Sequence, residues 1–349
     1  MNTASQAIGL EKKLKVYAPS EHGISFSGIS DGASRVMNML LSHGFDAYLV
    51  GGGVRDLLLK KKPTDFDIAT NATPVQISKI FKRSRMIGRR FKLVHVRVKS
   101  EIVEVATFRR SPGSENDLTR QGMIRRDNDF GNIEEDVVRR DFTVNALYLD
   151  YSTMNVHDYV GGFRDLNDGI LRLIGDPETR FSEDPVRVLR AVRFAESFDF
   201  KMTGFTKPQL QKFGGQLKHI PSARLFGEMN KLFLRGVAKR TFSSLRDLGL
   251  LHHLLPLTGV DFTSQKTSIG ERFIEKSLIN TDQRVIDGEA VTPAFLIAVF
   301  LWGPLVKEKK KQEKLLSNRL EAMIRAEEFV LKIQLERIAI PRRITKMVR

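Results

Sequence analysis

The chain has 349 residues, enough for two or three domains, and its 57 basic against 41 acidic side chains give a formal charge of +16. This charge favours a polyanionic partner such as nucleic acid, although a generally basic, soluble surface is the alternative. The absence of cysteine excludes disulfides, thiolate zinc sites and cysteine nucleophiles. The longest apolar run, Ala294 to Trp302, is nine residues, too short to cross a bilayer. We therefore predict no membrane span and, by default, a cytoplasmic protein.

Residues 1–32 are polar and predict an irregular N-terminal leader. Apolar residues at helical spacing predict a helix over residues 33–41, whereas residues 93–98 and 101–108 alternate as strands do. Mixed strands with flanking helices predict a small α/β head, and mostly helical patterns follow from Asp176 onward.

A glycine turn stands out in the predicted head. The apolar residues 47–50 predict a strand that ends at Gly51, Gly52 and Gly53, and the apolar spacing after them predicts a helix. Glycines let the backbone approach an anion closely, and the free N–H groups at the start of a helix attract negative charge. The turn is therefore a candidate site for a triphosphate.

A pair of aspartates follows the glycine turn. The run Asp65-Phe66-Asp67-Ile68 predicts a strand with both aspartates on one face, their Cα atoms about 6.5 to 7 Å apart, and with Phe66 and Ile68 toward the core. Two carboxylates so placed can bind Mg²⁺, with substrate phosphates completing the octahedron. Either feature alone is more often structural, but their combination favours nucleotide chemistry, and neither a Walker A loop nor a dinucleotide fingerprint fits.

Two further acids are candidates for a third carboxylate. Glu104 lies mid-strand between apolar neighbours, where an acid costs stability unless it is paired or bound to a metal. Asp141 lies in the cluster 139–146, in which Arg140 is suited to phosphate and Asn145 to a ribose hydroxyl. An ion-paired strand or a helix cap explains this cluster equally well.

A third cluster begins a predicted helix over Asp184–Phe198, with Asp184 as the N-cap. Arg187, Arg190 and Arg193 recur every three residues and form one stripe, which is most often a solvated or ion-paired face. The acceptor of Asp184 and the donor of Arg187 also match the pairing edge of adenine, with Arg190 and Arg193 then facing phosphates.

These clusters, in this order, resemble the bacterial poly(A) polymerase and tRNA nucleotidyltransferase family from about Gly44 to Arg343. The resemblance implies an α+β fold, in which a nucleotidyltransferase head of the DNA polymerase β type, with a mixed sheet, is followed by all-helical neck and body domains. We predict a leader over 1–32, a head over 33–158, a neck over 159–255 that carries nucleotide-binding and RNA-binding elements, and an RNA-binding body over 256–349. Family members extend past the equivalent of Arg343, so a shortened body is expected.

The resemblance also implies residue roles. Asp65 and Asp67 match the metal-binding aspartates, and Asp141 matches the third active-site acid, with Glu104 as the alternative. The nucleotide-binding positions fall on Gly52, Gly53, Arg55, Arg140, Asn145, Asp184, Arg187, Arg190 and Arg193. The implied cofactor is Mg²⁺, with Mn²⁺ as an alternative, and the implied substrates are ATP and RNA 3′ ends.

The segment Ile87–Val96, IGRRFKLVHV, looks like the one that distinguishes poly(A) polymerases from CCA-adding enzymes. The expected reaction is template-independent addition of AMP from ATP to an RNA 3′ hydroxyl, and CCA addition to tRNA is the alternative. A catalytically silent RNA-binding protein is disfavoured, because clustered acids repel phosphate unless a metal is bound. We further expect a monomer, with RNA-degradation machinery as a candidate partner.

Overall fold

The computed structural model describes residues 14–88, 92–110, 123, 129–258 and 269–348. Its internal contacts divide the chain into two compact units. The first unit runs to Asp184 and includes Lys201–Gly204, and the second comprises Pro185–Phe200 and Phe205–Arg349. The chain therefore divides at Asp184, later than the predicted end of the head at Asp158, while the boundary near residue 255 stays a prediction.

An eight-stranded sheet forms the centre of the first unit. Its strands are β1 Lys15–Tyr17, β2 Tyr48–Val50, β3 Asp67–Thr70, β4 Ser84–Ile87, β5 Leu93–Val98, β6 Glu101–Thr107, β7 Leu147–Asp150 and β8 Val156–Asp158. They lie in the order β1-β8-β7-β2-β3-β6-β5-β4, and all neighbours are antiparallel except β3 and β6, which are parallel. This mixed sheet confirms the α+β fold predicted for the head.

The N-terminal leader is not irregular from Lys15 onward. Strand β1 pairs with β8, and the ring of Tyr17 stacks on that of Phe163 with centroids 4.0 Å apart. Three residues are too few to show an alternating pattern in the sequence. The strand depends on backbone pairing with residues that lie far away along the chain.

The helices of the first unit are α1 Pro19–His22, α2 Asp31–Ser42, α3 Gly52–Leu58, α4 Pro74–Ile80, α5 Ile133–Arg139, α6 Gly162–Asn167 and α7 Pro177–Glu183. Helix α2 begins where the Ser30 hydroxyl accepts a hydrogen bond from the Ala33 N–H, as expected for an N-cap. Both α2 and α4 contact strands β5 and β6. The helix predicted over 33–41 is thus confirmed and covers one face of the sheet.

The other face of β5 and β6 remains accessible, and it carries His95, Arg97 and Glu104. Val94 and Val105 are fully buried, whereas Glu104 and Arg97 are exposed. Successive side chains of a strand point to opposite faces, so the valines lie on the face that α2 and α4 cover. We call the accessible side of β6, β5 and β4, together with Asp67 at the start of β3, the open face.

Asp158 ends β8 and holds the turn that follows it. Its carboxylate accepts hydrogen bonds from the backbone N–H groups of Val160, Gly161, Gly162 and Phe163 at 2.7 to 3.0 Å. Gly162 has no room for a side chain, because a Cβ there would lie 2.1 Å from the carbonyl oxygen of Thr143. The acid is therefore structural, and a short parallel sheet of β9 Ile170–Arg172 and β10 Lys201–Thr203 lies beyond it.

Apart from short 3-10 turns, the described part of the second unit is built from helices, as predicted. They are α8 Val186–Phe198, α9 Lys207–Gly214, α10 Ser222–Phe233, α11 Ala238–Asp247, α12 Ile269–Ile286, α13 Pro293–Gln312, α14 Arg319–Arg337 and α15 Arg342–Val348. Phe300 of α13 packs between Phe233 and Phe242, with ring centroids 4.9 and 6.1 Å apart, and all three are fully buried. Within the described ranges, no helix combines the length and apolar character needed to cross a bilayer.

Candidate active site

The glycine turn lies beside two of the predicted site residues. Gly51 has φ 69° and ψ −130°, a backbone conformation that only glycine adopts readily, and α3 begins at the next residue. A Cβ on Gly51 would lie 3.4 Å from Nη1 of Arg140 and 4.0 Å from Oδ2 of Asp67. The turn therefore brings backbone, a carboxylate and a guanidinium together.

The two aspartates are close, but only one of them belongs to the strand. Strand β3 begins at Asp67, whereas the prediction placed Asp65 and Phe66 in it as well, and Phe66 is half-buried rather than in the core. The cause is the turn at Gly51, because Val50 pairs with Asp67 and the chain then leaves the sheet. Residues before Asp67 have no partner on that side, so Asp65 lies in an exposed segment that precedes the strand.

Glu104 lies directly across from Asp67. The two residues are partners in the parallel pairing of β3 and β6, so their side chains share the open face. Oε1 of Glu104 is 3.0 Å from Nε2 of His95, and the side chain is 48% exposed. Glu104 is therefore both paired and on the accessible side of the strand, so its charge carries little of the cost of a buried acid.

The pKa of Asp67 reports the charge at this site. Burial raises the pKa of the Asp67 carboxyl to about 6, with a further rise from Glu104 and a smaller one from Asp65, and Arg140 opposes the shift. Asp67 thus interacts with two further carboxylates, Glu104 and Asp65, and with the positive charge of Arg140. Such a site is stabilised by a bound cation.

The donor set fits the divalent metal that the family resemblance implies. Carboxylate oxygens are hard ligands suited to Mg²⁺ or Mn²⁺. Within the described ranges, no three His, Asp or Glu side chains already enclose a metal position. Mg²⁺ usually keeps several waters and shares its coordination with substrate phosphates, so two carboxylates are enough protein ligands for it.

Arg140 is held by two residues that the sequence did not single out. Its Nε donates to the Tyr148 hydroxyl at 2.6 Å, and its Nη2 donates to Oδ2 of Asp136 at 3.1 Å. The Tyr148 hydroxyl itself donates to Oδ2 of Asp136 at 2.6 Å, which closes a triangle. Burial alone would lower the pKa of Arg140, but Tyr148 and Asp136 raise it above its ordinary value. The only sequence signal was the spacing of four residues between Asp136, in the first turn of a helix, and Arg140, at its C-cap.

Asp141, Asn145 and Arg55 form a second network. Oδ1 of Asp141 accepts from the Phe142 N–H at 2.8 Å and from Nδ2 of Asn145 at 3.2 Å. Oδ1 of Asn145 accepts from Nη1 of Arg55 at 2.5 Å, and Arg55 also binds Asp56 at 2.7 Å. These contacts brace the 3-10 turn Thr143–Asn145 against α3. A role of Asp141 as the third catalytic acid stays a prediction that its described contacts do not support.

The third cluster differs from its prediction at Asp184. The residue ends α7, where its N–H bonds to the Arg180 carbonyl at 3.4 Å, and Pro185 is the N-cap of α8. Asp184 is not the N-cap, because the preceding helix continues to Glu183 and has Asp184 as its C-cap, while Pro185 is the residue that precedes α8.

Two of the three arginines of α8 are buried. Arg187 and Arg193 are 7% and 6% exposed, and the Arg190 guanidinium lies 5.3 Å from the Phe194 ring centroid. Nε of Arg193 is 3.8 Å from Oε2 of Glu228 on α10. Phosphate contact by Arg193 stays a prediction, and this ion pair does not support it.

In the segment Ile87–Val96, residues 89–91 lie outside the described residues. The remainder spans the end of β4 and the start of β5, and it includes His95, the partner of Glu104. The distinguishing segment therefore reaches the open face.

Comparison with known proteins gives matches along the chain. The model of the "Poly A polymerase head domain" matches residues 47–172, and that of the "Probable RNA and SrmB-binding site of polymerase A" matches residues 199–260. The chain is 45% identical over 354 aligned residues to Poly(A) polymerase I of Salmonella typhi, covering 99% of this chain and 76% of that protein. A CCA-adding enzyme of Staphylococcus haemolyticus is 32% identical over 236 residues, covering 68% of this chain and 58% of the relative.

Among solved structures, a CCA-adding enzyme in its apo form II superposes with a TM-score of 0.67. The match covers 96% of this chain and 73% of that one at 20% identity, so it shows a shared fold and no more.

Proposed function

The chain belongs to the bacterial poly(A) polymerase and tRNA nucleotidyltransferase family and is a nucleotidyltransferase, and from this premise we propose that it adds AMP from ATP to RNA 3′ hydroxyl groups without a template. The observation that carries the proposal is the cluster of Asp65, Asp67 and Glu104 beside the turn at Gly51 and the guanidinium of Arg140. Carboxylates beside an anion-binding turn are what phosphoryl transfer with release of pyrophosphate requires.

The residues of the first unit divide this work. Asp65 and Asp67, with Glu104 as the third acid, would hold Mg²⁺, which when bound activates an attacking hydroxyl and stabilises a leaving pyrophosphate. The backbone after Gly51 and the Arg140 guanidinium bind and orient the triphosphate. The network of Asp141, Asn145 and Arg55 keeps α3 in place beneath the turn.

Polyadenylation is favoured over CCA addition by two observations. The identity to Poly(A) polymerase I is 45% over almost the whole chain, against 32% over 68% of the chain for a CCA-adding relative. The segment IGRRFKLVHV resembles the one that distinguishes poly(A) polymerases, and its His95 hydrogen-bonds to Glu104.

An extension assay tests the reaction. The full chain is incubated with Mg²⁺ and either a generic RNA primer or a tRNA that lacks its CCA end, and each of the four NTPs is supplied separately. We expect ATP alone to give long tails on both RNAs, while CTP, GTP and UTP give little extension. A requirement for CTP on the tRNA, followed by a stop after a few additions, would identify a CCA-adding enzyme instead.

We propose that Arg187, with Asp184, reads the pairing edge of adenine. Replacing Arg187 by Ala should reduce the ratio of kcat/KM for ATP over CTP by about tenfold or more, the value of one or two lost hydrogen bonds. This ratio does not depend on how much of the variant folds, which matters because Arg187 is 7% exposed. Arg240→Ala, which removes an arginine paired with Glu196 in the same unit, is the control. An unchanged ratio would remove Arg187 from base selection.

A further inference from the structure

A row of polar side chains crosses the open face, with acidic residues at one end and basic residues at the other. Asp67 pairs with Glu104, Glu104 with His95, and His95 with Arg85, so these four side chains follow one another across β3, β6, β5 and β4. Direct partners in a sheet share a face. Two residues along β5 from His95, Arg97 lies on the same face as His95. Acids thus occupy one end of the open face and arginines the other.

Arg85 and Arg97 show no role in holding the described part of the fold together. Both are exposed, and neither makes a side-chain hydrogen bond or ion pair with the described residues. Most arginines near the carboxylates are engaged, as Arg140 is with Asp136 and Arg55 with Asp56. We name Arg85 and Arg97 the arginine pair.

The strand order separates the arginine pair from the triphosphate site. The glycine turn follows β2, which borders β3 on one side, whereas β6, β5 and β4 lie on the other side. With strands about 4.8 Å apart, the arginine pair is roughly 10 to 15 Å from Asp67 between Cα atoms. In an in-line transfer, the attacking and leaving oxygens lie on opposite sides of the phosphorus. The nucleophile should therefore approach from the side that the arginines occupy.

We propose that Arg85 and Arg97 bind backbone phosphates of the RNA, a few nucleotides before the 3′ end, and so direct the terminal hydroxyl toward Asp67. This inference rests on the proposed function and adds a binding site for the second substrate. Guanidinium groups form bidentate hydrogen bonds with phosphate and do not recognise the base. This suits an enzyme whose RNA 3′ end gains a new nucleotide with every addition.

The test is the double variant Arg85→Ala/Arg97→Ala in the full chain. Binding of a labelled oligoadenylate is measured by fluorescence anisotropy without ATP over a range of salt concentrations, and KM is measured for RNA and for ATP. We expect Kd and KM for RNA to rise about tenfold. The slope of log K against log salt should fall by about 1.4, or about 0.7 for each lost phosphate contact. KM for ATP and kcat at saturating RNA should stay within about twofold of the wild-type values.

Two further variants frame the result. Arg35→Ala/Lys99→Ala removes the same charge from the groove between α2 and the β5–β6 turn, where both residues are exposed. It should leave the RNA constants nearly unchanged. Arg85→Lys/Arg97→Lys keeps the charge and should restore most of the binding and of the salt slope, because lysine still acts as a point charge on phosphate.

Two outcomes would overturn the inference: RNA constants that match those of the groove variant, or a rise in KM for ATP instead of KM for RNA. Failure of the proposed function looks different, because the wild-type chain would then transfer no AMP while the anisotropy measurements remain interpretable.

Discussion

Replacing Asp67 by Asn is expected to lower the rate of AMP transfer to RNA by about a thousandfold or more, which corresponds to about 4 kcal/mol in the activation barrier. Asparagine keeps the shape of the side chain but removes its negative charge. That charge lies where Asp65 and Glu104 also converge, beside the glycine turn. The measurement is incorporation of labelled ATP into an RNA primer, with RNA binding recorded in parallel and expected to persist.

A matched control and a stability readout make this result specific. Asp168→Asn removes the same charge from a surface ion pair with Arg164 and should leave the rate within about twofold. Because burial and neighbouring acids disfavour the charged form of Asp67, its replacement by Asn should leave the metal-free melting temperature unchanged or raise it. Transfer within tenfold of wild type in a folded Asp67→Asn variant would contradict the metal assignment.

The same assay separates the two candidates for the third acid. Glu104→Gln removes charge opposite Asp67 and should reduce transfer strongly. Asp141→Asn retains Oδ1, the atom that accepts from the Phe142 N–H, and should reduce transfer much less. The reverse order would assign the third role to Asp141.

The second large effect is expected at the triangle that holds Arg140. Replacing Asp136 by Ala leaves the Tyr148 hydroxyl and the Arg140 guanidinium without their shared acceptor in a buried environment. Removing one partner of a buried charged pair costs about 3 to 5 kcal/mol of unfolding free energy. We expect this loss in denaturant titrations, together with a large rise in KM for ATP, because Arg140 no longer lies against the turn at Gly51.

Tyr148→Phe tests positioning in a variant that should fold. It keeps the ring, whose centroid lies 4.7 Å from the Arg140 guanidinium carbon, and removes only the hydroxyl. We expect a cost of about 1 to 2 kcal/mol in stability and a rise of about fivefold in KM for ATP, with a smaller change in kcat. Tyr159→Phe is the control, since the Tyr159 hydroxyl makes no hydrogen bond within the part of the chain that the structure describes. A loss of stability with an unchanged KM would show that the triangle is structural only.

Local pattern was sufficient for much of the fold. The helical spacing of Ala33 to Leu41 and the alternation of residues 93–98 and 101–108 predicted α2, β5 and β6, and β6 ends one residue earlier, at Thr107. Periods of 3.6 and 2 residues record which side of an element is buried, so they can be read without knowing the partner. The strand and the helix around Gly51 were predictable from the same periodicity. The turn between them was predictable because glycine alone accepts that backbone conformation.

The predicted ends of helices and strands were wrong where a neighbouring element determines them. Asp-Pro at 184–185 has the composition of a helix start, but the preceding helix continues to Glu183 and uses Asp184 as its end. Strand β3 begins at Asp67 because its partner strand ends at Val50. The residues on either side of each boundary do not predict where it falls.

Several residues of the site could be predicted from the sequence, but the contacts that bring all of them together could not. Asp65, Asp67 and the glycine turn lie within one short stretch, so their shared chemistry could be inferred from spacing. Glu104 became a neighbour of Asp67 only through the parallel pairing of β3 and β6. Asp136 and Tyr148 acquired a role only when Arg140 was placed between them. Contacts between residues distant in sequence depend on how strands and helices pair in space, and a one-dimensional pattern does not contain that pairing.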